Sequence, residues 1–400
     1  MILRALTIRN SSSFLLLGAR GTGKSRLLAD LFTNENPLLI DLLLPRTYQM
    51  LLSDPESLTR LIEPAIKEKR SIIIDEVQRV PALLDLAHYH IEKSGARFAL
   101  TGSSARKLRR GGANLLAGRA VTYNLFPFLE EELGDSFNLS RALNFGLLPR
   151  VATDVNDEDR ILYLESYVDT YLSQEIIAEQ AVRNLPPFQR FLAVAAQMSG
   201  RIINYSHIAR DCLTDPSNVK NYFQILDDTL LGFQLPGFHH SIRKQQREAP
   251  KFYFFDMGVT RGLANQLRTA AQPGTYEWGR LFEQFIITQI RAGLDYQRAR
   301  PSLSYLLTKD GAEIDLIVER TGEPTLCLEI KSGNIIHPGE LSNLKALSAR
   351  IPNAKPVCLY SGDEPQMLDG VEFLPFRRGL TDLRLVPKVN NRSSSPKNGI

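Results

Sequence analysis

Cysteine is scarce: the 400 residues hold three, Cys212, Cys327 and Cys358. They lie far apart and form no C-x-x-C pair, which argues against a disulfide framework or a zinc finger and fits a reducing, cytoplasmic setting. The histidines do not fill the gap. His88 and His90 on a predicted helix, and His239 and His240 near a predicted hairpin, have no cysteine at metal-ligand spacing. Long apolar runs are also missing. No stretch of about 18 apolar residues occurs, and Phe14–Leu17 is too short for a signal-peptide core, so no membrane association is expected. Nor is there an excess of charge of one sign. Lys and Arg number 48 against 44 Asp and Glu, for a formal net charge of +4. That excludes a global polycation but leaves room for a local basic face. What is present is 43% hydrophobic and 23% charged residues, over a length that suggests two or three domains.

Residues 18–25 read GARGTGKS, between the apolar run FLLL and the helical pattern SRLLADLF. Strand, loop and helix in that order are what the G-x-x-x-x-G-K-[ST] motif needs. Gly18, Gly21 and Gly23 let the loop curl, with Thr22 between them, so that N–H groups point at phosphate oxygens. The following helix adds its N-terminal partial charge. Lys24 is placed to bridge the β- and γ-phosphates of ATP, and Ser25 to ligate Mg²⁺. A second apolar strand, SIIIDE (71–76), ends in Asp75, a candidate for Mg²⁺ through water. Glu76 is then placed to orient or deprotonate the attacking water. A third strand, RFALTGSS (97–104), ends in Ser103 and Ser104, either of which can sense the γ-phosphate. Arg119, after Gly118, is a candidate arginine finger in cis or from a neighbouring subunit, with a surface role as the alternative. KLRRGG (107–112) reads as a basic loop.

Strand-like segments FLLL, LLIDLLL, SIIIDE, RFALTGS and AVTYNL alternate with helical ones, which predicts a doubly wound parallel sheet. The separate glutamate after the aspartate suggests the P-loop branch with an extra strand between the P-loop and Asp75 strands. The run GARGTGKS, IIIDEVQ, LTGSS, LAGR and GLLPR (146–150) resembles a family of prokaryotic AAA-superfamily ATPases with a C-terminal domain of unknown function. The resemblance runs from about residue 10 to about residue 375, and takes in Gly118, Arg119, Gly146 and Pro149.

Beyond residue 150, RILYLESYVDTYLSQEIIAEQ (160–180) predicts an amphipathic helix and residues 187–199 another. Two short helices follow. Ser206 is a candidate cap for the first, and Asp215-Pro216 opens the second. With the strand-like FQLPGF and KFYFFD after them, they read as a winged helix-turn-helix. Ser217, Asn218, Lys220 and Asn221 would face outward, either to DNA or, as a lid, to protein. HSIRKQQREAPK (240–251) is a basic hairpin tip suited to phosphate contact.

In LCLEIKS (326–332), Glu329 and Lys331 stand two apart and so share one face of a predicted strand. Asp315, in DGAEIDLIV, precedes them on an adjacent strand, with ERTGEP (319–324) as the turn. Glu283 sits in the apolar helix GRLFEQFIITQI, where a charge needs a partner or a metal. Together these four resemble the PD-(D/E)xK nuclease core, with Ile314 where the name of the motif has proline. The resemblance implies Asp315 and Glu329 as Mg²⁺ ligands, Glu283 as a further ligand or a support behind the ligands, and Lys331 orienting water and steadying the charge of the phosphorane.

The expected architecture is therefore an α/β multidomain chain. A P-loop AAA-type ATPase domain spans 1–150 and a helical, winged-helix middle 151–265. A PD-(D/E)xK nuclease-like domain follows at 266–385, and then a disordered basic tail at 386–400. Two functions stay open: an ATPase coupled to cleavage of DNA, or an ATP-dependent switch or remodelling protein whose C-terminal domain binds nucleic acid or protein without cutting. A homo-oligomer is compatible with both.

Overall fold

A computed structural model of the chain describes residues 2–104, 118–172, 185–239, 249–335 and 341–389. The predicted basic loop at 107–112, the far part of the helix expected over 160–180, most of the basic tip at 240–251 and the tail from 390 lie outside them. Among the described residues no helix is long and apolar enough to cross a membrane.

The first unit contains β1 (Phe14–Leu17), α1 (Lys24–Leu31), β2 (Leu38–Asp41), α2 (Pro45–Ser53), α3 (Ser57–Lys67), β3 (Ile72–Asp75), α4 (Leu83–Ser94), β4 (Phe98–Gly102) and β5 (Val121–Asn124). The five strands form one sheet in the order β2-β3-β4-β1-β5, and every pairing is parallel. Strand β4 thus separates the P-loop strand from the Asp75 strand, as expected. The three inner strands are buried at every residue, while β2 and β5 are partly exposed at the edges. Helices cover both faces of such a sheet, so its central strands read as unbroken apolar runs.

Four helices lead onward: α5 (Glu130–Leu133), α6 (Leu139–Phe145), α7 (Pro149–Thr153) and α8 (Asp157–Ser166), the last running into a π-helical turn at Tyr167–Leu172. Then come α9 (Leu185–Gln197), α10 (Tyr205–Asp211), α11 (Pro216–Asp228) and the antiparallel hairpin β6 (Gly232–Leu235) and β7 (Lys251–Phe254). Pro216 opens α11 at its first turn, as expected. The cap of α10 differs: Asn204, not Ser206, accepts the His207 N–H, at 3.0 Å. Asn204 still has extended backbone, as a cap requires, whereas Ser206 already lies inside the first turn.

The last unit holds α12 (Met257–Leu263), α13 (Tyr276–Tyr296), β8 (Ser302–Leu307), β9 (Glu313–Glu319), β10 (Thr325–Lys331), α14 (Ser342–Ser348), β11 (Ala354–Tyr360), β12 (Gln366–Leu368), β13 (Val371–Pro375) and α15 (Phe376–Asp382). Its six strands order as β12-β13-β11-β10-β9-β8. Strands β8, β9 and β10 are an antiparallel meander, and β11 then pairs parallel to β10 across α14. The sheet is mixed, and α13 lays Phe282, Phe285, Ile286 and Ile290 into one core with Leu316, Leu328 and Ile330.

One buried carboxylate joins these units. Asp256 caps α12 by accepting the Val259 N–H at 3.1 Å, and it also accepts the Leu147 N–H at 2.7 Å. Gly146 has φ +77°, and a Cβ there would overlap the Asp256 carboxylate. Glycine is required twice over, by conformation and by space. This joint positions Leu148 and Pro149, which meet the P-loop: a Cβ on Gly21 would lie 3.7 Å from Leu148 Cδ2, and one on Gly23 3.5 Å from Pro149 Cγ.

Candidate functional site

The P-loop starts where β1 ends and closes at Gly23, whose φ of +94° is the left-handed conformation that lets α1 begin at Lys24. Lys24 is buried, and its ammonium donates to the carbonyls of Gly18 at 2.8 Å and Ala19 at 3.4 Å. Thr22 ties the loop internally, donating to the Ala19 carbonyl at 2.8 Å. Gly18 has no room for a side chain, since a Cβ would overlap the Leu125 carbonyl.

The register of the sheet brings the other groups to this end. Ser25 Oγ donates to Asp75 Oδ2 at 2.8 Å. Thr101, on the intervening strand, donates to Asp75 Oδ1 and accepts the Glu76 N–H at 2.9 Å. Ser103 Oγ donates to Glu76 Oε2 at 2.9 Å and accepts from Gln78 Nε2 at 2.8 Å. Gln78 Nε2 also donates to Glu76. Glu76 has φ +60°, a strained choice for this residue that turns its carboxylate toward Lys24, 3.8 Å away. Burial acts to raise the pKa of Glu76. The Lys24 charge and the bonds from Gln78 and Ser103 outweigh it and hold the carboxyl below its usual range. The group is thus an anion held beside the Lys24 ammonium.

Magnesium fits here. Ser25 and Asp75 present hard oxygens side by side, and Thr101 fixes the second Asp75 oxygen. Gly18, Gly21, Thr22, Gly23, Lys24, Ser25, Asp75, Glu76 and Ser103 therefore gather at one end of the sheet. Thr101 and Gln78 were missed by the sequence reading. The signal for Thr101 was a lone hydroxyl inside an apolar strand beside the Asp75 strand.

Arg119 is not among them. It precedes β5, whose Val121 pairs with Phe14 at the start of β1, while the P-loop follows Leu17 at the far end. The separation is a strand length, roughly 10 Å or more. Arg119 pairs there with Glu92 near the end of α4. It does not face this chain's own phosphate site.

In the C-terminal sheet, Lys331 Nζ lies 2.7 Å from Glu329 Oε1, and Asp315 Oδ2 accepts the Ile330 N–H at 2.8 Å. Asp315 on β9, and Glu329 and Lys331 on β10, are thus neighbours, as the spacing predicted. Glu283 on α13 joins them through groups that the sequence reading did not single out. Tyr253 OH donates to Glu283 Oε1 at 2.6 Å, and Lys251 Nζ does so at 3.2 Å. The same ammonium is 2.7 Å from Glu313 Oε1. Lys251 and Tyr253 stand two apart on β7, the same-face spacing of Glu329 and Lys331; that was the available signal.

Burial pushes the Asp315 carboxyl well above the usual range, and the charges of Glu329 and Glu283 add to the effect. Glu329 is raised first by burial, against the pull of Lys331. Burial opposes the charge on Lys251, but Glu283, Glu313 and Asp315 outweigh it and keep the ammonium protonated. These residues do not fit a divalent metal as arranged. The Lys251 ammonium already bridges Glu283 and Glu313. Among the described residues no three His, Cys, Asp or Glu side chains gather closely enough to hold a metal ion. The carboxylates expected to hold Mg²⁺ at Glu283, Asp315 and Glu329 thus stand beside two lysines, Lys251 on Glu283 and Lys331 on Glu329, of which only Lys331 was expected there.

A parallel sheet with a phosphate-binding loop, and a serine, an aspartate and a glutamate converging on it, defines a P-loop nucleotide-binding protein. Comparison with known families agrees. Residues 10–134 match an AAA domain, residues 136–270 the domain of unknown function DUF8612, and residues 278–378 the domain of unknown function DUF4143. The N-terminal part is thus an AAA-type P-loop domain, fused to C-terminal domains of unknown function. The chain is similar to an uncharacterized protein of Mycobacterium bovis and to one of Mycobacterium tuberculosis. Each is 29% identical over 281 residues, covering 68% of this chain and 62% of the relative.

Proposed function

We propose that this chain binds and hydrolyses Mg²⁺-ATP and uses the nucleotide state to switch C-terminal domains that bind DNA without cutting it. The observation that carries the ATPase reading is the network linking Ser25, Asp75, Thr101, Glu76, Ser103 and Lys24. Lys24 and the loop N–H groups hold the phosphates, Ser25 and Asp75 hold Mg²⁺, and Glu76 orients the attacking water with Ser103 beside it. When bound, the metal neutralises charge on the phosphates. Arg119, facing away, serves a neighbouring subunit's nucleotide in a homo-oligomer.

Helix α13 supports coupling between the ends. Arg291 on it lines a cavity of about 180 Å³ together with Gly18, Ala19 and Thr22. Glu283 on the same helix belongs to the C-terminal cluster, eight residues or about 12 Å away. Asp295, one turn beyond Arg291, accepts from Asn124 of β5 at 2.9 Å. A rigid helix that touches both sites can carry a change from one to the other.

DNA is supported by the three-helix and hairpin order of a winged helix, with Ser217, Asn218, Lys220 and Asn221 exposed on α11. The helix and three-strand meander of the last unit resemble a PD-(D/E)xK core. The lysine-neutralised cluster favours binding over cleavage.

Turnover is the test. Lys24→Ala should end ATP hydrolysis. Glu76→Gln should keep ATP binding and slow turnover roughly 10²- to 10⁴-fold. Turnover untouched by Lys24→Ala removes the P-loop reading. Anisotropy of labelled duplex DNA should depend on ATP, and the DNA should stay intact. Cleavage by the native chain that is lost in Lys331→Ala would replace the switch with a nuclease.

A further inference from the structure

The C-terminal cluster has the residue types of a metal centre and a different occupant. Glu283 from α13 and Glu313 from β9 reach one point, and Asp315 stands on the same face of β9 as Glu313. At that point sits Lys251, only 5% exposed, from the hairpin that precedes both. Its ammonium is 3.2 Å from Glu283 Oε1 and 2.7 Å from Glu313 Oε1. Tyr253 enters from the same strand face and donates to Glu283 at 2.6 Å. The ring of Tyr305 closes the far side, its centroid 5.5 Å from Lys251 Nζ, and its hydroxyl donates to the Ala249 carbonyl at 2.6 Å. Backbone pairing continues the seam, with the Phe238 N–H donating to the Tyr305 carbonyl at 2.6 Å. The hairpin is therefore stitched to the edge of β8 with its lysine inserted into the acidic set.

We infer that Lys251 substitutes for the divalent cation of a PD-(D/E)xK-type centre, so that Glu283 and Glu313, with Asp315 on the same strand face, form a socket that clamps the β6–β7 hairpin onto the C-terminal domain. The inference deepens the non-cleaving reading and rests on it. A divalent ion on Glu283 and Glu313 has to displace the Lys251 ammonium, which already holds an oxygen of each. The hairpin thus gains a fixed position, and the domain loses a metal. Lys331 does not replace Lys251 in this role, because it is engaged with Glu329.

The test is Mn²⁺ binding followed by electron paramagnetic resonance on the full chain without nucleotide. The native protein should show no Mn²⁺ site that depends on Asp315. Lys251→Met, which keeps the apolar stem and drops the charge, should gain one Mn²⁺ site with affinity about tenfold or more above the native background. Adding Glu313→Gln should abolish the gain, and Lys251→Arg should show none. No gained site in a folded Lys251→Met protein overturns the inference. If Lys251→Met does not fold, the native chain and Asp315→Asn decide. A native Mn²⁺ site lost in Asp315→Asn overturns it, and equal Mn²⁺ signals from the two support it. DNA anisotropy on the same proteins separates the two readings: a gained Mn²⁺ site in a protein that never binds DNA upholds the socket and removes the DNA reading.

Discussion

Asp256 offers a test of the interdomain joint through pH. Burial pushes its carboxyl up to about 6 from the ordinary 3.8, against the N–H groups of Leu147, Val259, Gly258 and Leu148 that favour the anion. The folded state therefore holds this proton more tightly than the unfolded chain does. Its contribution to stability is fully present below the unfolded pKa, near pH 4, and is lost as pH rises through the folded pKa, near pH 6. A shift of about two units at about 1.4 kcal/mol each makes the loss on the order of 3 kcal/mol. Asp256→Asn removes the titration while keeping the size of the side chain. Other raised carboxyls, such as Glu130, Glu132 and Asp295, are common to both proteins and cancel in the difference. The readout is urea unfolding from pH 4 to pH 7, followed by the fluorescence of Trp278. It is the single tryptophan, and it is buried in the same core as Leu147 and Met257. The native-minus-variant stability should fall by about 3 kcal/mol across that range. A difference that stays constant with pH would show that Asp256 titrates normally in the fold and would refute the argument.

Other consequences follow from the same geometry. Gly146→Ala should lower stability by more than about 2 kcal/mol, because it adds steric overlap with Asp256 to left-handed strain. Gly274→Ala is the control: it has φ +80° and open space around it, and should cost only about 1 kcal/mol in the same melt. Thr101→Val should raise the Mg²⁺ concentration needed for half-maximal turnover roughly 10- to 100-fold, by freeing Asp75 and the Glu76 N–H, with metal-free nucleotide affinity nearly unchanged. Tyr253→Phe leaves Glu283 short of a donor and should destabilise the C-terminal domain by about 1–3 kcal/mol in urea unfolding. In mixing experiments, Arg119→Ala subunits should slow the turnover of native partners. Unchanged turnover in mixtures would return Arg119 to its pairing with Glu92.

The amino-acid sequence by itself determined the nucleotide half of this protein. Its motif is local: the P-loop is eight consecutive residues, and Asp75 and Glu76 close an apolar run whose burial dictates a parallel strand. Strand ends in such a sheet meet at one edge, so Asp75, Glu76 and Ser103 were legible before any coordinates. Asp315, Glu329 and Lys331 were legible for a similar reason, since a hairpin turn sets neighbouring strands in register. Only the tertiary structure decided which further charge stands beside that cluster. Lys251 is 32 residues from Glu283 and 62 from Glu313 in the sequence, and no periodicity links them. It reaches them because β7 packs against the edge of β8, which is a matter of how whole units dock. Gly146 and Asp256 make the same point, for a glycine and an aspartate 110 residues apart carry no pattern until two chain segments compete for one space. The location of Arg119 was decided by sheet direction, because a residue that enters a strand and a loop that leaves its parallel neighbour lie at opposite ends.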